Sequence, residues 1–247
     1  SVATSTITSC GDGFSGVRYG SEGRGIKIKA DDDAGTLSGV SVEQCTVESS
    51  EAGVFVSGNT DDVIIKRCKF ASNGYGVVAY DVQASSTLKI AVQSSLFLAN
   101  SIGFGFHVAH GNGFELYNNT FIDNTLCGIG VSAHSGIAKI KNNILYSSSV
   151  VRQFESIALT SAEINYNCYT SGAGFIRYNS TDYNDLAAWD DLGFDLNSTT
   201  DSPDLDLNFR PGADAVCRNG GVLIPGVATD YYGDSFKNPP TIGAVEY

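Results

Sequence analysis

The sequence predicts an all-β fold: a single-stranded right-handed parallel β-helix, a solenoid of about seven to eight coils with a C-terminal cap of loops and one short helix. Three observations predict it. The first is a repeat. Six segments align, VSVEQCTV (40–47), VIIKRCKF (63–70), IAVQSSLF (90–97), FELYNNTF (114–121), AKIKNNIL (138–145) and AEINYNCY (162–169). Their sixth residues, Cys45, Cys68, Ser95, Asn119, Asn143 and Asn167, are spaced by 23, 27, 24, 24 and 24 residues. The second is that columns of this alignment keep their chemistry. Three places before the marker stand Val42, Ile65, Val92, Leu116, Ile140 and Ile164, and two places after it Val47, Phe70, Phe97, Phe121, Leu145 and Tyr169. Polar residues alternate with them, which is the period of a strand and not of a helix. The third is composition: 28 Gly, 11% aromatic residues and no Met suit β structure rich in tight turns.

The elements follow in order. Residues 1–39 are irregular first coils, in which Cys10 marks an early coil, GIKIK (25–29) supplies its second strand and 11–24 form a long loop. Residues 40–170 are the regular coils. Each unit reads as strand, turn, strand, turn, the second strand seen in ESSEAGVFV (48–56), ASNGYGVVAY (71–80), ANSIGFGFHV (99–108) and DNTLCGIGV (123–131). One such unit cannot bury its own apolar face, so neighbours must stack at the strand spacing of about 4.8 Å and share one interior. The leucine-rich pattern is absent, and a propeller blade needs roughly 40 residues per unit. Residues 171–247 hold the last coils and the cap, with LAAWDDLG (186–193) as a short amphipathic helix carrying the only Trp. The whole, 1–247, reads as one domain. In the marker column, Asn119, Asn143 and Asn167 predict an amide ladder along the axis.

Charge and cysteine content exclude several classes. With 15 basic and 27 acidic residues the net charge is −12, which speaks against nucleic acid and anionic membranes as partners. No apolar run approaches the roughly 20 residues of a membrane span. The six cysteines show neither CxxC nor a Cys/His metal spacing and read as buried thiols, although Cys45 and Cys68 would be neighbours on successive coils at a separation that suits a disulfide. Asp31, Asp32 and Asp33, and Asp61 with Asp62, offer oxygen ligands for Ca2+, but solvated acidic turns explain them more simply; no other cofactor is expected. A chain opening at Ser1 with no Met reads as a processed or truncated product.

The coils, together with the ending DYYGDSFKNPPTIGAVEY (230–247), resemble the right-handed parallel β-helix superfamily that includes pectate lyases. The similarity is strongest to secreted bacterial β-helix-repeat proteins that close on a D-x-x-G…P-x-I-G-A-x-E pattern, here Asp230, Gly233, Pro240, Ile242, Gly243, Ala244 and Glu246. The resemblance implies a secreted or cell-surface protein, a monomer or weak homo-oligomer, with a polysaccharide as partner. It does not imply one activity, because the superfamily hosts lyases, hydrolases, epimerases and non-catalytic proteins.

Chemistry is expected on an outward strand face, where a long groove suits a polymer. With Phe104, Phe106 and Val108 inward, His107 points out; with Val54 and Val56 inward, Phe55 points out; with Val77 and Ala79 inward, Tyr80 points out. Tyr80 and His107 each stand 12 residues past their markers and should be neighbours. The expected catalytic set is Tyr80, His107, His134 and Arg152, with Lys27, Phe55, His110 and Gln153 binding substrate. These residue types suit β-elimination from an acidic sugar: a base takes the proton beside the carboxylate, a cation stabilises the enolate and an acid protonates the leaving oxygen. A metal reading of His107, His110 and His134 lacks a locally spaced carboxylate. A hydrolase would need two carboxylates across a groove, and Asp81 and Asp123 form no evident pair. The expected function is a polysaccharide lyase; the alternative is a non-catalytic glycan-binding, adhesin-like or structural solenoid.

Overall fold

The computed structural model describes residues 3–8, 23–30, 36–82, 89–108, 113–133, 136–149, 152–156, 159, 161–170 and 174–247. Cys10, Asp31, Asp32, Asp33, His110 and His134 lie outside the described residues, and so does the side chain of Asp81. The chain opens with β1 (Ala3–Thr8) and β2 (Arg24–Ala30). Five regular turns follow: β3 (Leu37–Glu43), β4 (Thr46–Glu48) and β5 (Ala52–Gly58); β6 (Val63–Lys66), β7 (Lys69–Ala71) and β8 (Tyr75–Val82); β9 (Lys89–Gln93), β10 (Leu96–Leu98) and β11 (Ile102–His107); β12 (Gly113–Tyr117), β13 (Thr120–Ile122) and β14 (Cys127–Ala133); β15 (Ile137–Lys141), β16 (Ile144–Tyr146) and β17 (Arg152–Ser156). A sixth turn, β18 (Ser161–Asn165), β19 (Cys168–Tyr169) and β20 (Ile176–Tyr178), has a middle strand of two residues. Then come β21 (Thr181–Tyr183), antiparallel to β20, and α1 (Leu186–Asp190). The regular turns number about five, fewer than the seven to eight coils expected.

Three parallel sheets result, with strand orders β1-β3-β6-β9-β12-β15-β18, β4-β7-β10-β13-β16-β19 and β2-β5-β8-β11-β14-β17-β20-β21. Each turn therefore has three strands, where the sequence suggested two. The reason is local. The residue before each marker (Gln44, Arg67, Ser94, Asn118, Asn142, Tyr166) has a φ between 48° and 58° and breaks the segment that the hydrophobic alternation had read as one strand. A second left-handed corner, at Ser49, Ser72, Ala99 and Asp123, ends the short strands β4, β7, β10 and β13. Polar corner residues tolerate this conformation better than β-branched ones.

The core is a set of files. Val42 faces Ile65, Ile65 faces Val92, Val92 faces Leu116, Leu116 faces Ile140 and Ile140 faces Ile164, and all are buried. Phe70, Phe97 and Phe121 pile beside them, the last two rings stacked 4.5 Å apart. Gly53, Gly76, Gly103 and Gly128 form a file opposite those rings: a Cβ on Gly103 would lie 2.6 Å from both Phe121 Cδ1 and the Gly128 carbonyl oxygen. The amide ladder is present. Asn119 Nδ2 donates to Asn143 Oδ1 at 3.0 Å and Asn143 Nδ2 to Asn167 Oδ1 at 3.1 Å. A parallel ladder at the second corner, Asn73 to Asn100 to Asn124, had not been expected. Cys45 and Cys68 are thiols and form no disulfide, and the Cys45 N–H meets Cys68 Sγ at 3.5 Å.

Charged side chains on the first sheet form ion pairs along the stacking direction. Lys89 and Lys139 both pair with Glu115, at 3.3 and 3.2 Å, but Glu163 pairs with Lys141 at 2.7 Å. The hydrogen bond from Lys141 holds the Glu163 carboxyl below its ordinary range.

The end of the solenoid is closed by α1, capped by Asp185, whose carboxylate accepts from the Ala188 N–H. Trp189 is fully buried and packs against Phe154, Tyr178, Tyr183 and Phe194. The remaining tail is more than a cap. It runs back as a strap along the flank made by the short strands, where Thr120 Oγ1 accepts from the Ala244 N–H, the Asn142 carbonyl from the Gly243 N–H and the Tyr231 carbonyl from Arg67 Nε. The closing pattern of the sequence is the buckle of this strap. Asp230 accepts from the N–H groups of Gly233, Asp234 and Glu246, and Glu246 from the N–H and hydroxyl of Thr241. Gly243 has φ +111°, and a Cβ there would meet Ile144 at 2.6 Å.

Candidate functional site

The site is built on the outer face of the third sheet. In-register stacking there carries a row of outward residues from coil to coil: Lys27 faces Phe55, Phe55 faces Val78, and Val78 faces Gly105. Gly105 leaves a recess. A Cβ at this position would lie 2.9 Å from the Tyr75 ring and 3.1 Å from His107 Nε2. The result is a cleft of about 280 Å³ lined by Arg24, Glu51, Ala52, Phe55, Tyr75, Val78, Tyr80 and His107.

Tyr80 and His107 are paired across β8 and β11, as their common offset predicted, with ring centroids 6.1 Å apart. Tyr75 flanks the imidazole on the other side at 5.8 Å, edge-on. His107 Nδ1 is 2.6 Å from Ser132 Oγ. Ser132 is brought there by a β-bulge: Phe106 faces Val131 while His107 faces Ala133, so Ser132 is the extra residue. His107 Nε2 is buried and has no hydrogen-bond partner among the described residues. Burial lowers the pKa of this imidazole. At the far end of the cleft the Arg24 guanidinium lies 3.6 Å over the Phe55 ring. Stacking leaves the edge of the guanidinium free to meet an anion.

The other expected residues are placed differently. Arg152 stands in the row of Cys127, Ile102 and Tyr75, three strand steps from Tyr75, or about 14 Å at the usual strand spacing. It is ion-paired with Glu155 at 3.1 Å. It is not part of the cleft. Gln153 is buried, in the inward file that glycine occupies on earlier coils, so the expectation that it projects outward is corrected. Lys27 is exposed beside Phe55, at the edge of the cleft. Strict alternation fails here, because the successive residues Gln153 and Phe154 are both buried.

Arg24, Glu51 and Tyr75 were missed by sequence reasoning. Each stands at or before the first residue of its strand, a position the inward-outward count had not reached. The signal for Tyr75 was available: it occupies the same register as Ile102, five residues ahead of a residue already singled out. Among the described residues, no group of three or more His, Cys, Asp or Glu side chains converges as a metal site.

The fold and this face define a parallel β-solenoid with an aromatic cleft on one flank. The family model described as "Right handed beta helix region" matches residues 3–187, and the chain belongs to that family. Comparison with curated proteins and with solved structures finds no match.

Proposed function

We propose that the chain binds an acidic polysaccharide in the cleft on the outer face of β5, β8 and β11. The observation that carries this reading is the grouping of Phe55, Tyr75 and Tyr80 in one concave surface that also holds Arg24. Aromatic rings present flat apolar faces to the C–H faces of sugar rings, and a guanidinium matches a uronate carboxylate. Stacked parallel strands repeat these contacts along the axis, which suits a polymer. A secreted or cell-surface location and a polysaccharide partner belong to the same reading. Titration calorimetry with a panel of uronate oligomers tests it. Tyr75→Ala and Tyr80→Ala should each weaken binding by about 5- to 30-fold, the range expected for loss of one aromatic contact of about 1–2 kcal/mol. Retention of full affinity in both variants would refute the site.

A second reading, eliminative cleavage, is favoured by His107, whose Nε2 has no partner among the described residues and whose pKa is lowered by burial, which favours the neutral, proton-accepting form. Tyr80 would then protonate the leaving oxygen. The arrangement is incomplete for this chemistry, because Arg24 is three strand steps from His107 along the stacking direction. Ultraviolet absorbance from unsaturated uronate products distinguishes the two. Binding without product supports the first reading, and product lost in His107→Ala supports the second.

A further inference from the structure

Two cysteines meet where the strap crosses the flank of the solenoid. Cys168 belongs to β19 and faces Ile144 on the preceding coil. Cys217 belongs to the strap. Both are buried in one small apolar cluster with Ile144 and Ile242. Their sulfurs converge on one stretch of the tail: Cys168 Sγ lies 3.3 Å from the Asp201 carbonyl oxygen and Cys217 Sγ 4.0 Å from that of Pro203. The Cys217 carbonyl in turn accepts from the Ile242 N–H at 2.8 Å, which fixes its backbone against the buckle. Both cysteines are free thiols.

The neighbouring Cys168 side chain lowers the pKa of Cys217, while the Cys217 side chain and burial raise that of Cys168. Cys217 is thus the better nucleophile of the pair. The thiols of Cys45 and Cys68 are directed to main-chain carbonyls instead, Cys45 to that of Glu43 and Cys68 to those of Lys66 and Val42.

We propose that Cys168 and Cys217 are a disulfide site that fastens the C-terminal strap to the solenoid. The oxidant is a small-molecule disulfide such as oxidised glutathione. Cys217 thiolate attacks one glutathione sulfur and releases the other half as a thiol. Cys168 then displaces the second glutathione from Cys217, forming the protein S–S bond. The two electrons and two protons lost by the protein end on two glutathione thiols. The bond closes a loop between residues 49 positions apart, tethering two segments with no backbone continuity between them at the contact.

The test uses the full chain, reduced and then equilibrated with oxidised glutathione, alkylated under denaturing conditions and mapped by mass spectrometry. The expected product is one intramolecular bridge joining Cys168 to Cys217, reversed by dithiothreitol. It should raise Tm by roughly 5–10 °C and slow proteolysis of the strap. The double variant Cys45→Ser, Cys68→Ser should keep the bridge, and Cys217→Ser should lose it along with the gain in Tm. Both thiols remaining free, or a bridge mapped to another pair, would overturn the proposal even if the Cys217→Ser variant misfolds, because that readout needs only the unmodified chain.

Discussion

At the scale of single residues, Asp195 is the group on which the end of the core depends. It is fully buried, and its carboxylate accepts from Asn167 Nδ2 at 2.9 Å, the Tyr169 hydroxyl at 2.8 Å, Trp189 Nε1 at 2.7 Å and the Ser198 hydroxyl. It therefore terminates the amide ladder and anchors the cap with the same two oxygens. Burial raises its pKa in spite of these four bonds. The sign follows: the folded pKa lies above the unfolded one, so this group's favourable contribution is complete below the ordinary carboxylate pKa and is lost as pH rises through the folded value. Asp195→Asn should remove that pH-dependent loss. It should nonetheless lower stability at neutral pH by about 1–3 kcal/mol, because its NH2 faces groups that are themselves donors. Asp195→Ala should cost more, about 3–5 kcal/mol. Urea unfolding at several pH values checks both; an Asp195→Asn variant more stable than the parent at neutral pH would contradict the account. Asp195 was not legible in the sequence. The ladder steps by 24 residues up to Asn167, and Asp195 follows 28 residues later, after a hairpin and a helix have interposed.

At the scale of elements, the files of matched side chains were legible because stacking in register forces one chemistry into each column. Val42 through Ile164 are readable from spacing alone, and so is the pairing of Tyr80 with His107. The division of each turn into three strands was not, because a single left-handed residue such as Asn118 leaves no gap in the hydrophobic alternation around it. The glycine file makes the same point in reverse: its members stand at regular places, but their purpose depends on the Phe rings from a neighbouring sheet. Gly103→Ala should destabilise the chain by about 1–3 kcal/mol, since the new methyl group would lie 2.6 Å from Phe121 Cδ1 and from a main-chain oxygen. Trimming the ring by Phe121→Leu in the Gly103→Ala background should not restore stability, because the contact with the Gly128 oxygen remains and backbone cannot give way as a side chain can. Thermal unfolding of the single and double variants measures this; full rescue would locate the whole cost in the ring.

At the scale of the whole molecule, the net charge of −12 and the proposed acidic ligand act against each other, and their different ranges separate them. Repulsion between the chain and a polyanion is felt over tens of ångströms at low salt, whereas the Debye length falls to about 8 Å at physiological ionic strength. The attraction of Arg24 for a carboxylate operates at contact, over a ring that shields one side of the guanidinium. Raising ionic strength from about 10 to 150 mM should therefore accelerate association several-fold by screening the approach. Dissociation should accelerate only modestly, because the aromatic contacts are insensitive to salt. Arg24→Ala should show the same acceleration of association together with faster dissociation. Stopped-flow measurements with a uronate oligomer give both rates. An association rate that falls steadily with salt would mean that the approach is governed by a basic surface. That would place binding away from the cleft bounded by Arg24, Tyr75 and His107, since Arg24 is the only cation that lines it among the described residues. A rate indifferent to salt would mean that the net charge of the chain does not govern the approach, and would contradict the expected screening effect.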